Sequence, residues 1–144
     1  MNVLTTEGKE ASMIRYRLAA VLIGMMALLT APAMAEGPKV TPLMKKDLAG
    51  LPDKEGVMLT VEYAPGASSS KHRHNAHTFV YVLEGAIVMQ VEGGETVRLR
   101  PGQTFYESPT DIHIVSKNAS DSQPAKFLVV FVKDQGAPPN VPVQ

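Results

Sequence analysis

The chain has 144 residues, of which 44% are hydrophobic and 19% are charged. A chain of this length suits one globular domain with its own core and is short for two. The 14 basic residues equal the 14 acidic ones, which argues against nucleic acid and favours a small molecule as the partner. Because there is no cysteine, disulfides and thiolate metal sites are excluded, and histidines, carboxylates and neutral oxygens are the available metal ligands.

The N-terminal 35 residues have the pattern of a secretory signal peptide. Arg15 and Arg17 precede an apolar run over residues 18–29, and the small-x-small end at residues 33–35 predicts cleavage after Ala35. The run is shorter than the roughly 20 residues that a membrane-spanning helix needs, so we expect a periplasmic or secreted product that no membrane holds. Met13 is a better start for such a peptide, and residues 1–12 would then precede the true start.

Residues 57–132 read as short apolar runs separated by glycine and proline turns, without sustained helical period. Seven runs predict strands at residues 57–63, 78–83, 86–91, 96–100, 103–107, 112–116 and 127–132. Strands at this spacing predict an all-β fold, an antiparallel sandwich or barrel. We expect a lead-in at residues 36–54, with a strand or helical turn within residues 40–52, a barrel at residues 55–133, and an extended, poorly ordered Pro-rich tail at residues 134–144.

All four histidines lie within the predicted barrel, and three of them fall within six residues. His72 and His74 form a His-x-His pair, which a strand presents on one face because its side chains alternate. His113 lies on a later strand, and an antiparallel neighbour can bring it to the same face. Such a set of imidazoles is typical of a site for a divalent metal ion. The predicted ligands are therefore His72, His74 and His113, with His77 as a fourth candidate.

This spacing resembles the two sequence motifs of the cupin family. The matching positions are Gly66, His72, His74 and Gly85 in the first motif, and Gly102 and His113 in the second. Pro109 and Asn118 each lie one residue beyond their usual places in the second motif, and Asp111 replaces a glycine. The resemblance covers about residues 55–133.

The resemblance implies more than the residues alone establish. It implies that the β-fold is an antiparallel jelly-roll barrel, the double-stranded β-helix. It implies a divalent metal cofactor held by histidines, which would be Fe, Mn, Zn, Ni or Cu. It also implies a homodimer packed through the outer face of the barrel, for which Phe79 and Tyr81 are suited because both face outward on a regular strand.

One departure from the family pattern concerns the fourth ligand. Thr78 stands where the family has a glutamate, and threonine is a poor ligand for a divalent ion. A bulge at residues 75–76 would turn His77 inward to replace it, whereas a regular strand would leave His77 outside. Glu107, at the end of the strand that enters the second motif, is a further candidate for a carboxylate ligand.

Three interpretations of the function remain open at this point. The first is a metal-dependent enzyme, a dioxygenase or isomerase acting on a small molecule, because neutral imidazoles leave a metal ion charged and open to substrate. The second is a non-catalytic periplasmic module that binds a metal or small ligand. The third is a purely structural jelly roll without metal.

Overall fold

The computed structural model describes residues 37–144, which form eleven strands and no helix. The predicted signal peptide at residues 1–35 lies outside the described residues. Within the part of the chain that is described, no helix has the length and apolar character needed to cross a membrane. The strands are β1 (Lys39–Asp47), β2 (Lys54–Tyr63), β3 (Ser68–Ser69), β4 (His72–Arg73), β5 (Ala76–Glu84), β6 (Ile87–Val91), β7 (Val97–Leu99), β8 (Thr104–Glu107), β9 (His113–Asn118), β10 (Ala125–Asp134) and β11 (Val141–Pro142).

The strands form two sheets, and every pairing in them is antiparallel. The first sheet has the order β1-β2-β10-β5-β8, and the second has the order β11-β4-β9-β6-β7, with β3 also paired to β9. Strands that are distant in sequence are therefore neighbours, as in a jelly roll. The expected all-β jelly-roll barrel is confirmed.

The hydrophobic core lies between the two sheets. Buried and more exposed residues alternate along β10 and along residues 76–83 of β5, because successive side chains of a strand point to opposite faces. The inward positions of β10 are large and apolar, with Phe127, Val129 and Phe131 all buried. Val80 and Val82 of β5 face them from the neighbouring strand. This parity decides which side chains reach the interior of the barrel.

The turn between β5 and β6 requires a glycine. Gly85 has φ of 69°, and a Cβ atom there would lie 2.4 Å from the carbonyl oxygen of Pro124. A side chain at this position would meet both the left-handed backbone penalty and a backbone clash. The glycine that closes the first motif therefore lets the turn pack against the start of β10.

The sequence-based expectations for the two ends of the barrel have different outcomes. In the lead-in, the strand alternative is confirmed: β1 is a full edge strand paired along β2, although each of its nine residues is exposed. The tail, expected to be poorly ordered, ends in β11, where Val141 and Pro142 pair with Arg73 and His72. Backbone hydrogen bonds to neighbouring strands thus hold both ends. Such bonds do not require a particular pattern of side chains, so the sequence gives little indication of them.

A buried group of charges joins three strands at one end of the first sheet. Glu55 of β2 is 1% exposed and pairs with Lys133 of β10, which is also buried. Lys45 of β1 lies 2.9 Å from the same carboxylate. Lys133 also donates to the carbonyl oxygen of Ala137 at 2.5 Å, so the cluster anchors the start of the tail. Buried charges need such partners because an unpaired one is costly.

Candidate metal centre

Three of the predicted ligands meet at one place inside the barrel. One ring nitrogen each from His72, His74 and His113 lies within 4.8 Å of the other two. His72 and His113 are Cα partners across β4 and β9, so their side chains leave the sheet side by side. His74 follows two residues after His72, and their ring centroids are 4.7 Å apart. The sequence prediction for these three positions agrees with their placement.

A bulge in β9 shapes this side of the barrel. The pairing of β6 with β9 shifts by one residue between Gln90 and Val91, and Ile114 is left without a partner. Because of this extra residue, His113 and Ser116 both point inward although they are three residues apart. The same strand, β9, therefore contributes His113 to the histidine cluster and Ser116 to the cavity beside it.

Backbone carbonyl groups orient two of the imidazoles. Nδ1 of His72 lies 2.6 Å from the carbonyl oxygen of Ser70, and Nδ1 of His74 lies 2.5 Å from that of Pro139. A carbonyl oxygen only accepts, so each Nδ1 carries the proton and each Nε2 keeps its lone pair for a ligand. Burial lowers the pKa of both His72 and His74, which keeps the rings in the neutral form that binds metal.

Glu107 completes the cluster from the opposite sheet. Its carboxylate oxygen Oε2 lies 3.3 Å from Nδ1 of His113 and 3.8 Å from Nε2 of His74. The residue is 2% exposed and is the Cα partner of Thr78 across β5 and β8. The carboxylate expected at position 78 by the resemblance is thus supplied by the adjacent strand.

The donor set fits a divalent metal ion. Glu107 Oε2 and both ring nitrogens of His113 are buried and have no hydrogen-bond partner among the described residues. Buried polar atoms are normally paired, because leaving one without a partner costs about 1–3 kcal/mol. Imidazole nitrogens with one carboxylate suit Zn, Fe, Mn, Ni or Cu better than Mg or Ca, which prefer sets of oxygen ligands. A cation bound here would give a partner to the Glu107 oxygen and to one His113 nitrogen, since one ring presents only one nitrogen to a given ion.

His77 is not brought to this cluster. Asn75 takes a left-handed conformation with φ of 48°, and β5 begins directly after it at Ala76 with regular alternation. His77 is therefore exposed on the outer face, where its Nδ1 lies 2.7 Å from the hydroxyl oxygen of Tyr106. Thr78, of the opposite parity, is fully buried.

An apolar cavity of about 140 Å³ opens beside the histidines. Exposed residues near both chain ends, such as Val40 and Pro139, line its solvent side. Its inner walls are apolar and consist of Leu59, Val61, Val80, Met89, Phe127 and Val129. A metal ion at the cluster would therefore face a small and largely apolar space.

A cluster of three hydroxyl groups also lines the cavity. The Tyr63 hydroxyl oxygen lies 2.6 Å from Oγ of Ser69 and 2.7 Å from Oγ of Ser116. Burial raises the pKa of Tyr63, so its phenol stays protonated. Sequence reasoning missed this hydroxyl cluster and the Pro139 carbonyl, because their positions depend on the β9 bulge and on the pairing of β11.

Comparison with sequence families gives one match over the barrel. The family model described as "Cupin domain" matches residues 59–131. No curated protein sequence is significantly similar to the chain.

Comparison with solved structures gives many matches of low sequence identity. The DMSP lyase DddQ from Ruegeria pomeroyi DSS-3 has a TM-score of 0.52 at 22% identity, over 58% of this chain and 41% of the lyase. The polyketide cyclase RemF from Streptomyces resistomycificus has a TM-score of 0.57 at 24% identity, over 76% of this chain and 75% of the cyclase. An uncharacterized double-stranded β-helix protein from Klebsiella pneumoniae reaches 0.59 at 15% identity, over 77% and 90%. At these identities the likenesses establish the fold alone.

Proposed function

Because the chain belongs to the cupin domain family, we propose that it is an exported metalloenzyme that binds one divalent ion and acts on a small oxygenated molecule. The protein ligands are His72, His74, His113 and Glu107. The observation that carries the proposal is the buried Glu107 oxygen and the two His113 nitrogens, which lack partners beside an apolar cavity.

The reaction class follows from the donor set and the cavity. A bound ion would supply Lewis-acid polarisation of a substrate oxygen or, if redox-active, chemistry with dioxygen, which corresponds to an isomerase or a dioxygenase. The imidazoles hold the ion, and the Ser70 and Pro139 carbonyl groups orient two of them. The apolar cavity walls limit the access of water to the substrate. Among the described residues, Glu107 is the only carboxylate that lines the cavity, and it is the proposed proton acceptor.

Metal binding is tested by comparing two histidine variants. We expect His72→Ala to weaken zinc binding by more than about 100-fold in competition with a chromogenic chelator, since even residues behind a ligand contribute 10–100-fold. His77→Ala is the matched control, and its affinity should equal that of the wild type because His77 lies outside the barrel. Equal zinc affinity for wild type and His72→Ala, with a thermal midpoint insensitive to chelator, would instead support a structural barrel without metal.

Catalysis is tested on the protein as purified. Metal analysis by mass spectrometry, followed by oxygen uptake on catechols, flavonols and diketones, should find a redox-active metal and turnover of a small substrate. A binding module is the second candidate, and one observation favours it: with Glu107, four protein groups surround the site, as in closed structural zinc sites. Tightly held zinc without turnover would support that alternative.

We also propose that the chain is exported and that it forms a homodimer. Export is supported by the basic, apolar and small-x-small pattern of residues 1–35. The mass of the protein recovered from a periplasmic fraction should match a chain that begins at Glu36, and an uncleaved mass in that fraction would contradict this. The dimer is supported by an outer row on β5 and β8, where Phe79, Tyr81 and Tyr106 are 47%, 44% and 48% exposed.

A further inference from the structure

We propose that the cavity binds a compact ligand with the bulk of one six-membered ring, whose oxygen donors face the histidines and whose distal hydrogen-bonding group meets the hydroxyl cluster of Tyr63, Ser69 and Ser116. This inference rests on the proposed function, because it places one end of the ligand at the metal. It adds to that function a size limit and a second polar contact. Both come from the walls and the rear of the cavity rather than from the metal ligands.

The volume of the cavity sets the size. At about 140 Å³ it is close to an engineered apolar cavity of about 150 Å³ that takes up benzene. Its inner walls come from β2, β5, β6 and β10 and are aliphatic or aromatic, so a second charged group on the ligand would be buried without a partner. The enclosed part of the cavity therefore has room for one ring and not for several fused rings.

One of the three donors in the hydroxyl cluster has at best a weak acceptor. Three hydroxyl groups carry three protons, but only two oxygen–oxygen contacts join them. If Tyr63 donates to Ser116, the Ser116 proton has only the sulfur atom of Met89 at 3.5 Å, which is a weak acceptor. If Tyr63 donates to Ser69, the Ser69 proton has no partner in the cluster. Either arrangement leaves a proton available to an oxygen or nitrogen acceptor on the ligand.

The metal end and the hydroxyl end lie on one ladder of the second sheet. Ser69 pairs with Ser116, and His72 pairs with His113, which lies three residues before Ser116 on β9. At the ordinary rise of a strand this separates the two pairs by at most about 10 Å. A single ring with polar groups at opposite ends spans such a distance once its contacts at both ends are included. We therefore expect the ligand to lie along β9.

Ligand size is tested with a matched pair of diols, measured by calorimetry on protein loaded with redox-silent zinc. 4-Methylcatechol should bind at least about 10-fold more tightly than naphthalene-2,3-diol, which has the same adjacent hydroxyl groups but one more ring. Met89→Ala enlarges the cavity and should bring the two affinities within about twofold. Val80→Ala serves the same purpose if Met89→Ala fails to fold. Equal affinities in the wild type would overturn the size limit.

The hydroxyl end is tested with an isosteric pair under nitrogen. Benzene-1,2,4-triol replaces the methyl group of 4-methylcatechol by a hydroxyl, and one added hydrogen bond should favour the triol by about fivefold. Removing all three hydroxyl groups, in Tyr63→Phe with Ser69→Ala and Ser116→Ala, should abolish this preference, and Ser69→Ala alone should reduce it. Ser68→Ala, exposed and next to Ser69, is the control and should keep the preference. A preference that survives the removal of all three hydroxyl groups, or that is absent from the wild type, would overturn the polar contact.

Failure of this inference is distinguishable from failure of the proposed function. A zinc titration before the ligand measurements decides whether the metal site exists. Zinc binding without discrimination within either ligand pair overturns the inference and leaves the metal site standing. Absence of zinc binding overturns the proposed function together with the metal end of the ligand. The same two ligand pairs on the metal-free protein then decide whether the cavity still selects by size and by hydroxyl contact.

Discussion

Glu107 is the residue that decides whether the proposed metal site has a carboxylate ligand. Its carboxylate is buried between His74 and His113 and is opposite Thr78 on the neighbouring strand. A carboxylate in this place lowers the net charge of a bound divalent ion and adds a fourth protein ligand. It can also hold His113 through Nδ1, which would fix the orientation of that ring.

Glu107→Gln keeps the shape of the side chain and removes its charge. We expect zinc affinity to fall by about 10–100-fold, which is the range for loss of a group that supports or completes a metal site. Chelator competition measures this, and Glu92→Gln, on an exposed side chain 59% accessible, is the matched control. Unchanged affinity in Glu107→Gln would limit the site to three histidines.

At this scale the sequence predicts the ligands well and their surroundings poorly. His72, His74 and His113 are predictable because strand alternation and the family spacing both point to them. The position of His77 is not predictable from the sequence, because it depends on whether the strand begins before or after Asn75. The left-handed backbone at Asn75 makes the strand begin after it. Glu107 is visible only as a candidate, since its distance from the histidines depends on strand register across β5 and β8.

The last strand, β11, is an element with a function at the metal centre. Its pairing with β4 places the Pro139 carbonyl against Nδ1 of His74, so the tail holds that imidazole in the tautomer that leaves Nε2 free. The same segment lines the solvent side of the cavity. Deleting this segment should leave all the proposed metal ligands in the chain but remove the hydrogen bond that orients His74.

Two truncations separate this effect from a general loss of stability. A chain that ends after Pro138 lacks the Pro139 carbonyl, and we expect its zinc affinity to fall by about 10-fold or more. A chain that ends after Pro142 keeps that carbonyl and the β11 pairing, and its affinity should match the full chain. If both truncations bind zinc equally well, the tail does not orient His74.

The charged cluster that joins β1, β2 and β10 makes stability depend on pH. Hydrogen bonds from Lys133 and then Lys45 lower the pKa of Glu55, although burial opposes them. A group whose pKa is lowered by folding stabilises the fold above its unfolded pKa, here near 4.5, and loses that contribution as pH falls through the folded value.

Glu55→Gln should therefore be less stable than the wild type at pH 7 and approach it in acid. Urea unfolding at pH 7 and at about pH 3 measures the difference in the free energy of unfolding between the two proteins. Glu92→Gln should show no such narrowing, because its ion pair is exposed and its atoms are 3.7 Å apart. A difference between Glu55→Gln and wild type that is constant with pH would mean that the carboxylate charge is not what stabilises these strands.

The strands themselves are largely predictable, and the exceptions have a common cause. Runs bounded by Gly and Pro locate β5, β6, β8 and β10 because the barrel buries one face of each. β1 and β11 have no buried face to mark them, since every residue of β1 is exposed and β11 has two residues. Their pairing rests on backbone hydrogen bonds, which any side chain pattern permits.

For the whole molecule, the outer apolar row is the basis of the predicted dimer. Light scattering coupled to size-exclusion chromatography should find twice the mass of one chain. Charges at the centre of the row, in Phe79→Glu with Tyr81→Glu, should give a monomer with unchanged zinc affinity, because both side chains point away from the metal site. Arg98→Glu, exposed on β7 of the other sheet, should remain a dimer. A wild-type monomer would contradict the prediction.

The hydrogen bond between His74 and Pro139 has a consequence for biogenesis. Its two partners are 65 residues apart, so a growing chain displays the His-x-His pair long before the carbonyl that orients it exists. The proposed ligands on β8 and β9 are also distant in sequence from that pair, so the capture of a metal ion would be a late event in folding. For an exported chain, the ion is then acquired where folding finishes. Which metal the protein carries would be decided by the supply in that compartment, more than by the intrinsic preference of its ligands.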